Sequence, residues 1–375
     1  MRVLLEGWRL CLSKNYGGIE SYWKQLVPAL IRANEPDLNF TLLSAFLNPR
    51  KVPRMDSFRN SRVKIRHWWS SPDFLFRMGK YGMPLEWLGG RHDLVHTPEP
   101  YWPLSGKGRL VVTCQDLMYH HYPQFLDPQT AKRLEQGTEA CVEQAAWWIC
   151  ISEYTRKELV KEFGVPHGRT SVAPIGVSSS FFEAGEKELK GADSPYFLFI
   201  GSIEPKKNLP GLMTSFAEAI DKGCPARLKI AGRVAWGSKE LSLTLRKYPK
   251  LKDRVDFLGF VPQANLPQLL AQSLALVLPS FYEGFGMPVV EAMAAGAPVL
   301  CSNRGALPET AGGAAKLFDP MDSTFLAELL CELSADSTLR DKMKSSGFKH
   351  AASFTWENCA SSTLSAYRQA MSVSK

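Results

Sequence analysis

The chain has 375 residues, 45% of them apolar, and a formal charge of +8; it is longer than one hydrophobic core sustains, so two domains are expected. No apolar run reaches the roughly 18 residues of a membrane-crossing helix, and the apolar segment Val3–Leu5 is too short for a secretory signal. The 8 cysteines are scattered without a Cys-x-x-Cys pair or a metal-ligand spacing, which argues against a disulfide scaffold or zinc module and for a reduced, cytoplasmic protein.

In chain order, Val3–Leu5 reads as a strand, Ser13–Ile19 as a loop holding Gly17 and Gly18, and Ile19–Ala33 as a helix. Phe40–Ala45, Val63–Trp68, Leu94–His96 and Leu110–Cys114 read as strands. Thr130–Ala145 reads as a helix, Trp147–Ser152 as a strand, Glu153–Phe163 as a helix and Ser171–Pro174 as a strand. Residues 181–194 are polar, charged and poor in branched side chains, which marks a linker. The alternation then restarts. Strands are expected at Tyr196–Gly201, Arg227–Gly232, Val255–Leu258, Leu274–Leu278, 298–301 and Ala315–Phe318. Helices are expected at Asn208–Ile220, Leu266–Gln272, 288–296, Thr324–Leu333, Ser337–His350 and Trp356–Met371. Strands alternating with helices predict an α/β protein: two Rossmann-like domains, each a parallel sheet covered by helices, facing across a cleft. The expected division is 1–180, a linker at 181–194, 195–355, and a last helix at 356–375 packing back on the first domain. Ligands of such sheets sit at the strand C-terminal ends.

The most informative stretch runs from Ser280 to Glu309. Glu283 and Glu291 stand eight residues apart around the turn Gly284-Phe285-Gly286, with Met287 and Pro288 opening a helix. A turn entering a helix presents N–H groups to an anion, and the helix dipole favours one there. A carboxylate is a poor phosphate ligand but a good acceptor for sugar hydroxyls. Backbone for a diphosphate and acids for sugars make the chemistry of a nucleotide-sugar site.

The positive charge is uneven. Residues 51–80 carry eight Lys or Arg against Asp56 and Asp73, interleaved with Trp68, Trp69, Phe74, Phe76 and Met78. Two readings stay open: a solvated loop with a few tucked-in aromatics, or a surface touching anionic lipid or a lipid-linked acceptor. No zinc finger, helix-turn-helix or RNA-binding signature accompanies the charge, so nucleic acid is not expected as a partner.

Several ordered segments resemble one family along the whole chain: Tyr16-Gly-Gly-Ile-Glu20, Thr113-Cys-Gln-Asp-Leu117 with Tyr122-Pro-Gln-Phe125, Ile151-Ser-Glu-Tyr-Thr155, Val172-Ala-Pro-Ile-Gly-Val177, Gly201-Ser-Ile-Glu-Pro-Lys-Lys-Asn208, and the Glu-x7-Glu pair Glu283 and Glu291. The last is the most specific. They resemble the family 4 retaining glycosyltransferases of GT-B fold, and most closely the bacterial mannosyltransferases of polysaccharide assembly. The resemblance implies hexose transfer from a nucleoside-diphosphate sugar, with GDP-mannose as first expectation, to a saccharide or lipid-linked saccharide. It also implies retention by front-side attack, and no cofactor or divalent metal, in keeping with the lack of an Asp-x-Asp dyad. Peripheral placement on the inner membrane face would suit such an acceptor.

By the same resemblance, Glu283, Lys207 and Asp116 are the catalytic candidates. Lys207, with Lys206 second, would offset charge growing on the leaving diphosphate. Glu283 would hold the transferred sugar and Glu291 the ribose hydroxyls. Gly17, Gly18, Ser202, Gly284, Phe285, Gly286 and Met287 complete the expected donor site. Tyr16, Glu20, Gln115 and His120 are expected at the acceptor. Asp116 alternatively caps the turn after Leu117. Two positions depart from the pattern: Gln115 stands where histidine is usual, and Ile175 where asparagine is frequent. Gln115 can donate a hydrogen bond but carries no charge. The alternatives are a UDP-sugar transferase of the same fold and a non-catalytic nucleotide-sugar-binding scaffold. A dinucleotide oxidoreductase fails, because neither domain's first strand is followed by Gly-x-Gly-x-x-Gly.

Overall fold

The computed structural model describes residues 1–11, 17–48, 55, 58–60, 62–71, 74, 83, 86–100, 106–187, 194–233 and 238–373. The chain forms two compact units: Met1–Gly176 together with Trp356–Lys375, and Val177–Thr355.

The first unit is built on a seven-stranded parallel sheet in the order β3-β2-β1-β4-β5-β6-β7. The strands are β1 (Arg2–Glu6), β2 (Asn39–Ala45), β3 (Val63–Trp68), β4 (Leu94–Thr97), β5 (Arg109–Cys114), β6 (Ala145–Cys150) and β7 (Thr170–Val172). Central strands such as β4 and β5 are apolar and buried almost throughout, as a parallel sheet covered on both faces requires. The strand order reverses between β1 and β4, and the helix Gly18–Arg32 is the first α-helix after β1 in the chain. That helix buries Tyr22, Trp23, Leu26, Val27 and Leu30. The helix Trp356–Ser372 belongs to this unit. It packs on the helix Gly18–Arg32 and on β6, and its Tyr367 hydroxyl meets Nδ1 of the buried His96 at 2.6 Å. The other ring nitrogen of His96 meets Thr113 Oγ1 at 2.8 Å. Burial lowers the pKa of His96 to about 3, so the ring is a neutral core group.

The second unit holds a six-stranded parallel sheet in the order β10-β9-β8-β11-β12-β13. Its strands are β8 (Tyr196–Ile200), β9 (Arg227–Ala231), β10 (Val255–Gly259), β11 (Ala275–Leu278), β12 (Val299–Ser302) and β13 (Lys316–Phe318). One cluster around Phe197, Phe199, Phe216, Leu228, Ile230 and Leu330 fills one face. The helix Leu209–Asp221 contributes Leu212, Met213 and Phe216 to it, and Ser323–Ala335 contributes Leu326, Leu330 and Leu333.

The two units divide at 176/177, and of the expected linker at 181–194 residues 188–193 lie outside the described ones. Residues 179–185 form a helix inside the second unit, and Phe181 within the supposed linker is fully buried. A single aromatic anchor outweighs the polar composition around it. Among the described residues no helix is long and apolar enough to cross a membrane.

Candidate functional site

At the C-terminal end of β11 the chain passes through Ser280–Gly286 and enters the helix Met287–Ala294. Gly286 is its N-cap with φ 91°, a left-handed backbone that L side chains resist. A Cβ there would also lie 2.4 Å from Leu307 Cδ2. Pro288 lies in the first turn, where its missing N–H costs nothing. Phe285 is buried edge-on to Phe354, with ring centroids 5.8 Å apart, and its carbonyl accepts from Thr310 Oγ1 at 2.6 Å. His350 Nε2 meets the Thr310 carbonyl at 2.9 Å, so the bend rests on a second layer of contacts. A helix start leaves its first N–H groups without an intrahelical carbonyl; here Pro288 has no N–H and Val289 N donates to the Gly286 carbonyl at 2.9 Å, which narrows that set to Met287 N.

Glu283 is buried in this bend. Its Oε1 receives Lys207 Nζ at 2.6 Å and Ser280 Oγ at 2.7 Å. Ser280 is held in turn by Ser302 Oγ, which donates to its carbonyl at 2.5 Å. Burial is the largest influence on Glu283 and opposes its ionisation. Lys207, Lys206 and the Ser280 hydroxyl overcome it, and the pKa is lowered. The backbone of Glu283 is clamped as well: its carbonyl accepts from Ala306 N at 2.9 Å, and a Cβ on Gly305 would lie 2.6 Å from that oxygen. Lys207 ends a short 3-10 turn after β8, and the turn is tied to the bend by Phe281 N donating to the Lys206 carbonyl at 2.8 Å. Lys206 Nζ stands 3.7 Å from Glu204. Ser202 is exposed on the same β8 loop.

The structure therefore brings Lys206, Lys207, Glu283, Gly284, Phe285, Gly286 and Met287 together. It adds Ser280 and Ser302, which the sequence reading missed. It also pairs Lys207 with Glu283, where separate partners for diphosphate and sugar were expected. Glu291 lies one turn further along the helix, half-buried, accepting from Gln263 Nε2 at 3.1 Å. Burial pushes its pKa up to about 7, against the opposing hydrogen bond from Gln263. In the unfolded chain this carboxyl ionises near its ordinary value, so the fold holds the extra proton between the two values. Its contribution is fully present below the ordinary carboxylate range and is lost as pH rises toward 7. The wild type is expected to lose thermal stability relative to Glu291→Gln between about pH 5 and pH 8. A difference that stays flat over that range would show that this carboxyl is not desolvated.

The first unit holds the remaining candidates. Tyr16 lies outside the described residues. Gly17 caps the helix Gly18–Arg32 with φ −77°, and neither it nor Gly18 has a left-handed backbone. The turn itself thus does not require glycine at either position. Glu20 reaches back to accept from Gly17 N at 3.0 Å and pairs with Arg9 Nη1 at 2.9 Å. Asp116 accepts from Met118 N at 3.1 Å, the local capping role. Gln115 Nε2 donates to the Pro98 carbonyl at 3.3 Å. His120 pairs with Glu135 at 2.8 Å and lies 3.5 Å from Glu162, so both ring nitrogens face carboxylates of its own unit. Among the described residues no group of three or more His, Cys, Asp or Glu could hold a metal ion.

One constellation had no sequence signal. Arg9, just past β1, is buried among three carboxylates: Glu6, Glu20 and Glu99. Nη2 meets Glu99, and Nε stands 2.6 Å from Glu6 Oε1, off the hydrogen-bonding direction. Burial pushes Glu6 up to about 8 against the pull of Arg9, and raises Glu99 in the same way. Burial also works against the Arg9 charge, but the carboxylates overcome it and its pKa is raised. One guanidinium cannot balance the two buried anions Glu6 and Glu99 together with the half-buried Glu20, so the cluster holds a proton at neutral pH.

The model for Glycosyl transferases group 1 matches residues 180–350, and that for Glycosyltransferase Family 4 matches 16–181. D-inositol 3-phosphate glycosyltransferase of Paenarthrobacter aurescens is 30% identical over 77% of this chain and 75% of its own. The chain belongs to the family 4 glycosyltransferases. This glycosyltransferase is also 29% identical to O-antigen chain mannosyltransferase B of Escherichia coli, over 73% of the chain and 74% of the relative. In fold it resembles sucrose-phosphate synthase of Thermosynechococcus elongatus, at TM-score 0.73 and 21% identity with 98% of each chain covered. It also resembles the Anabaena protein HepE in complex with UDP and glucose, at TM-score 0.70 and 19% identity over 98% and 99% of the two chains. These two likenesses establish the GT-B fold of the family 4 enzyme.

Proposed function

We propose that this glycosyltransferase moves a hexose from a nucleoside-diphosphate sugar, with mannose from GDP-mannose as the preferred donor, to a saccharide or lipid-linked saccharide with retention of configuration. The observation that carries the reading is the pair of Lys207 with the buried Glu283 beside the Gly286 helix start. A diphosphate arriving at the helix N-terminus competes for Lys207, the half-buried cation paired with Glu283. Lys207 then offsets charge growing on the leaving group. Glu283, already held ionised, turns its acceptor oxygens to the sugar hydroxyls and to the positive charge developing on the ring. Glu291 receives the ribose hydroxyls from its half-buried place on the next turn. With lysine and helix dipole supplying the positive potential, the reaction needs no divalent metal.

The mannosyltransferase relative supports mannose. A second reading, UDP-sugar donation, is favoured by the UDP in the HepE complex. For the acceptor, Gln115 and Asp116 stay the preferred residues because they follow β5 at its C-terminal end. Glu20 and His120 serve it only by leaving their present partners. A thermal-shift panel of GDP, UDP, ADP and their sugars decides the base, since a ligand that binds only the fold raises its stability by mass action. GDP and GDP-mannose are expected to raise the midpoint and Lys207→Ala to remove the effect. A shift with UDP alone moves the assignment to the second reading. Absence of any nucleotide release with all the sugars would leave a binding scaffold.

The basic-aromatic stretch supports a peripheral membrane site. Only part of 51–80 lies within the described residues, but there Trp68 and Trp69 are 42% and 61% exposed, beside exposed Lys64 and Arg66. Trp87 is 74% exposed, and the short helix Glu86–Gly89 that carries it packs against β2 and β3. Exposed tryptophans flanked by cations suit an anionic headgroup layer. Co-sedimentation with phosphatidylglycerol-containing vesicles is expected to fall in Trp69→Ser/Trp87→Ser; equal binding by the variant would remove this surface from the account.

A further inference from the structure

A groove of about 450 Å³ lies in the second unit at the far end of the helix Met287–Ala294 from Gly286. An eight-residue helix is about 12 Å long, so the groove and the candidate donor site flank one rigid element. Lys187, Lys344 and Lys349 line the groove, with Ser345 and the ring of Phe348. Its floor is made of small residues, Gly185, Ala295 and Gly296 among them. Among the described residues no carboxylate lines it. Among the described residues none of the three lysines has an ion-pair partner, although most of the ion pairs elsewhere in the unit involve a lysine.

Lysines often gather where helices end, because unpaired carbonyls there carry partial negative charge. Three helices do end around this groove, and several of their last carbonyls are already used. Ala295, Gly296 and Ala297 N donate to Glu291, Met293 and Ala292 carbonyls, Gln272 and Ser273 N to those of Gln268 and Leu270, and Glu186 N to that of Phe182. The dipoles remain, but fewer carbonyls are left to accept from a lysine. Three cations around a concave surface, with no countercharge among the described residues lining it, repel one another unless an anion sits between them. The aromatic edge is fixed, since Phe348 packs edge-on against Phe182 with centroids 5.8 Å apart.

We propose that this groove binds a phosphate-bearing ligand, a phosphate ester or diphosphate gripped by Lys344 and Lys349 from one helix and Lys187 from the opposite wall. Nothing in the donor-site chemistry uses these residues. The ligand chemistry has two sources, a soluble phosphorylated molecule or the headgroup of an anionic lipid.

Inorganic pyrophosphate tests the first by equilibrium dialysis with the full chain. The wild type is expected to bind one more equivalent than Lys344→Gln/Lys349→Gln, with that equivalent weakened about a hundredfold by loss of two charge-assisted contacts. Phosphatidylcholine vesicles with and without phosphatidylglycerol test the second, in a Trp69→Ser/Trp87→Ser background that silences the other surface. Loss of pyrophosphate alone assigns a soluble ligand, and loss of phosphatidylglycerol binding as well assigns a lipid headgroup. If the double variant, melting like the wild type, matches it in both assays, the proposal is overturned. The nucleotide thermal-shift panel reports on the donor site separately, so failure there leaves this outcome readable.

Discussion

Replacing Lys207 by Met should lower kcat/KM for the sugar donor by about a hundredfold to a thousandfold, the range seen when one preorganised charge stabiliser is removed. Glu283→Gln should fall as far, because the sugar side loses its ionised acceptor. Each single change also leaves a buried charge without its partner, which costs about 3–5 kcal/mol of stability in a pair whose atoms stand 2.6 Å apart. The double variant Lys207→Met/Glu283→Gln separates the two effects. Its stability should recover most of that loss, because no unpaired charge remains, while its activity stays at the level of the worse single variant. Steady-state kinetics and urea midpoints on the four proteins make the cycle. A double variant that regained activity together with stability would reduce the pair to scaffolding and remove the proposed chemistry.

Arg9→Met should destabilise the protein by about 3–5 kcal/mol, and by more at pH 8 than at pH 5. Without the guanidinium, Glu6, Glu20 and Glu99 lose the cation they share, and Arg133 acts on Glu99 alone. Glu6 and Glu99 already sit above the ordinary carboxyl value because of burial, and losing Arg9, which opposes that shift, raises them further. The fold then holds protons that the unfolded chain releases, so stability is kept at low pH and lost as pH climbs past the unfolded value. Arg9→Met/Glu6→Gln/Glu99→Gln should restore the alkaline stability. Urea midpoints at the two pH values decide it, and equal losses at both would mean that the cluster's charges are solvated rather than buried.

Much of the frame could be read directly from the residues. β8, β11 and β12 are short continuous apolar runs, and such runs bounded by turns are the mark of strands buried on both faces. The Glu283–Glu291 spacing around two glycines gave the bend and the helix start, because φ 91° at Gly286 is a conformation that other residues resist. Helices of four or five residues, Met118–His121 and Leu307–Ala311, went unread. One turn is too short to show a period. The Lys207–Glu283 bond joins residues 76 apart in sequence, and Arg9 meets Glu99 across 90. Such pairings follow from strand order, which propensity does not encode. Nor did the sequence show the local partners of Asp116 and His120, which are Met118 N and Glu135.

The chain leaves the first unit at Gly176 and returns to it only with Trp356. The second unit is one uninterrupted segment, Val177–Thr355, and can reach its native state on the ribosome as soon as it has emerged. The first cannot, although it is synthesised earlier. Its core must wait for the returning helix, whose Tyr367 is fully buried and bound to His96. During that interval a half-formed seven-stranded sheet stands open with apolar surface uncovered. Nascent chains stalled before Trp356 should therefore be the ones that chaperones capture.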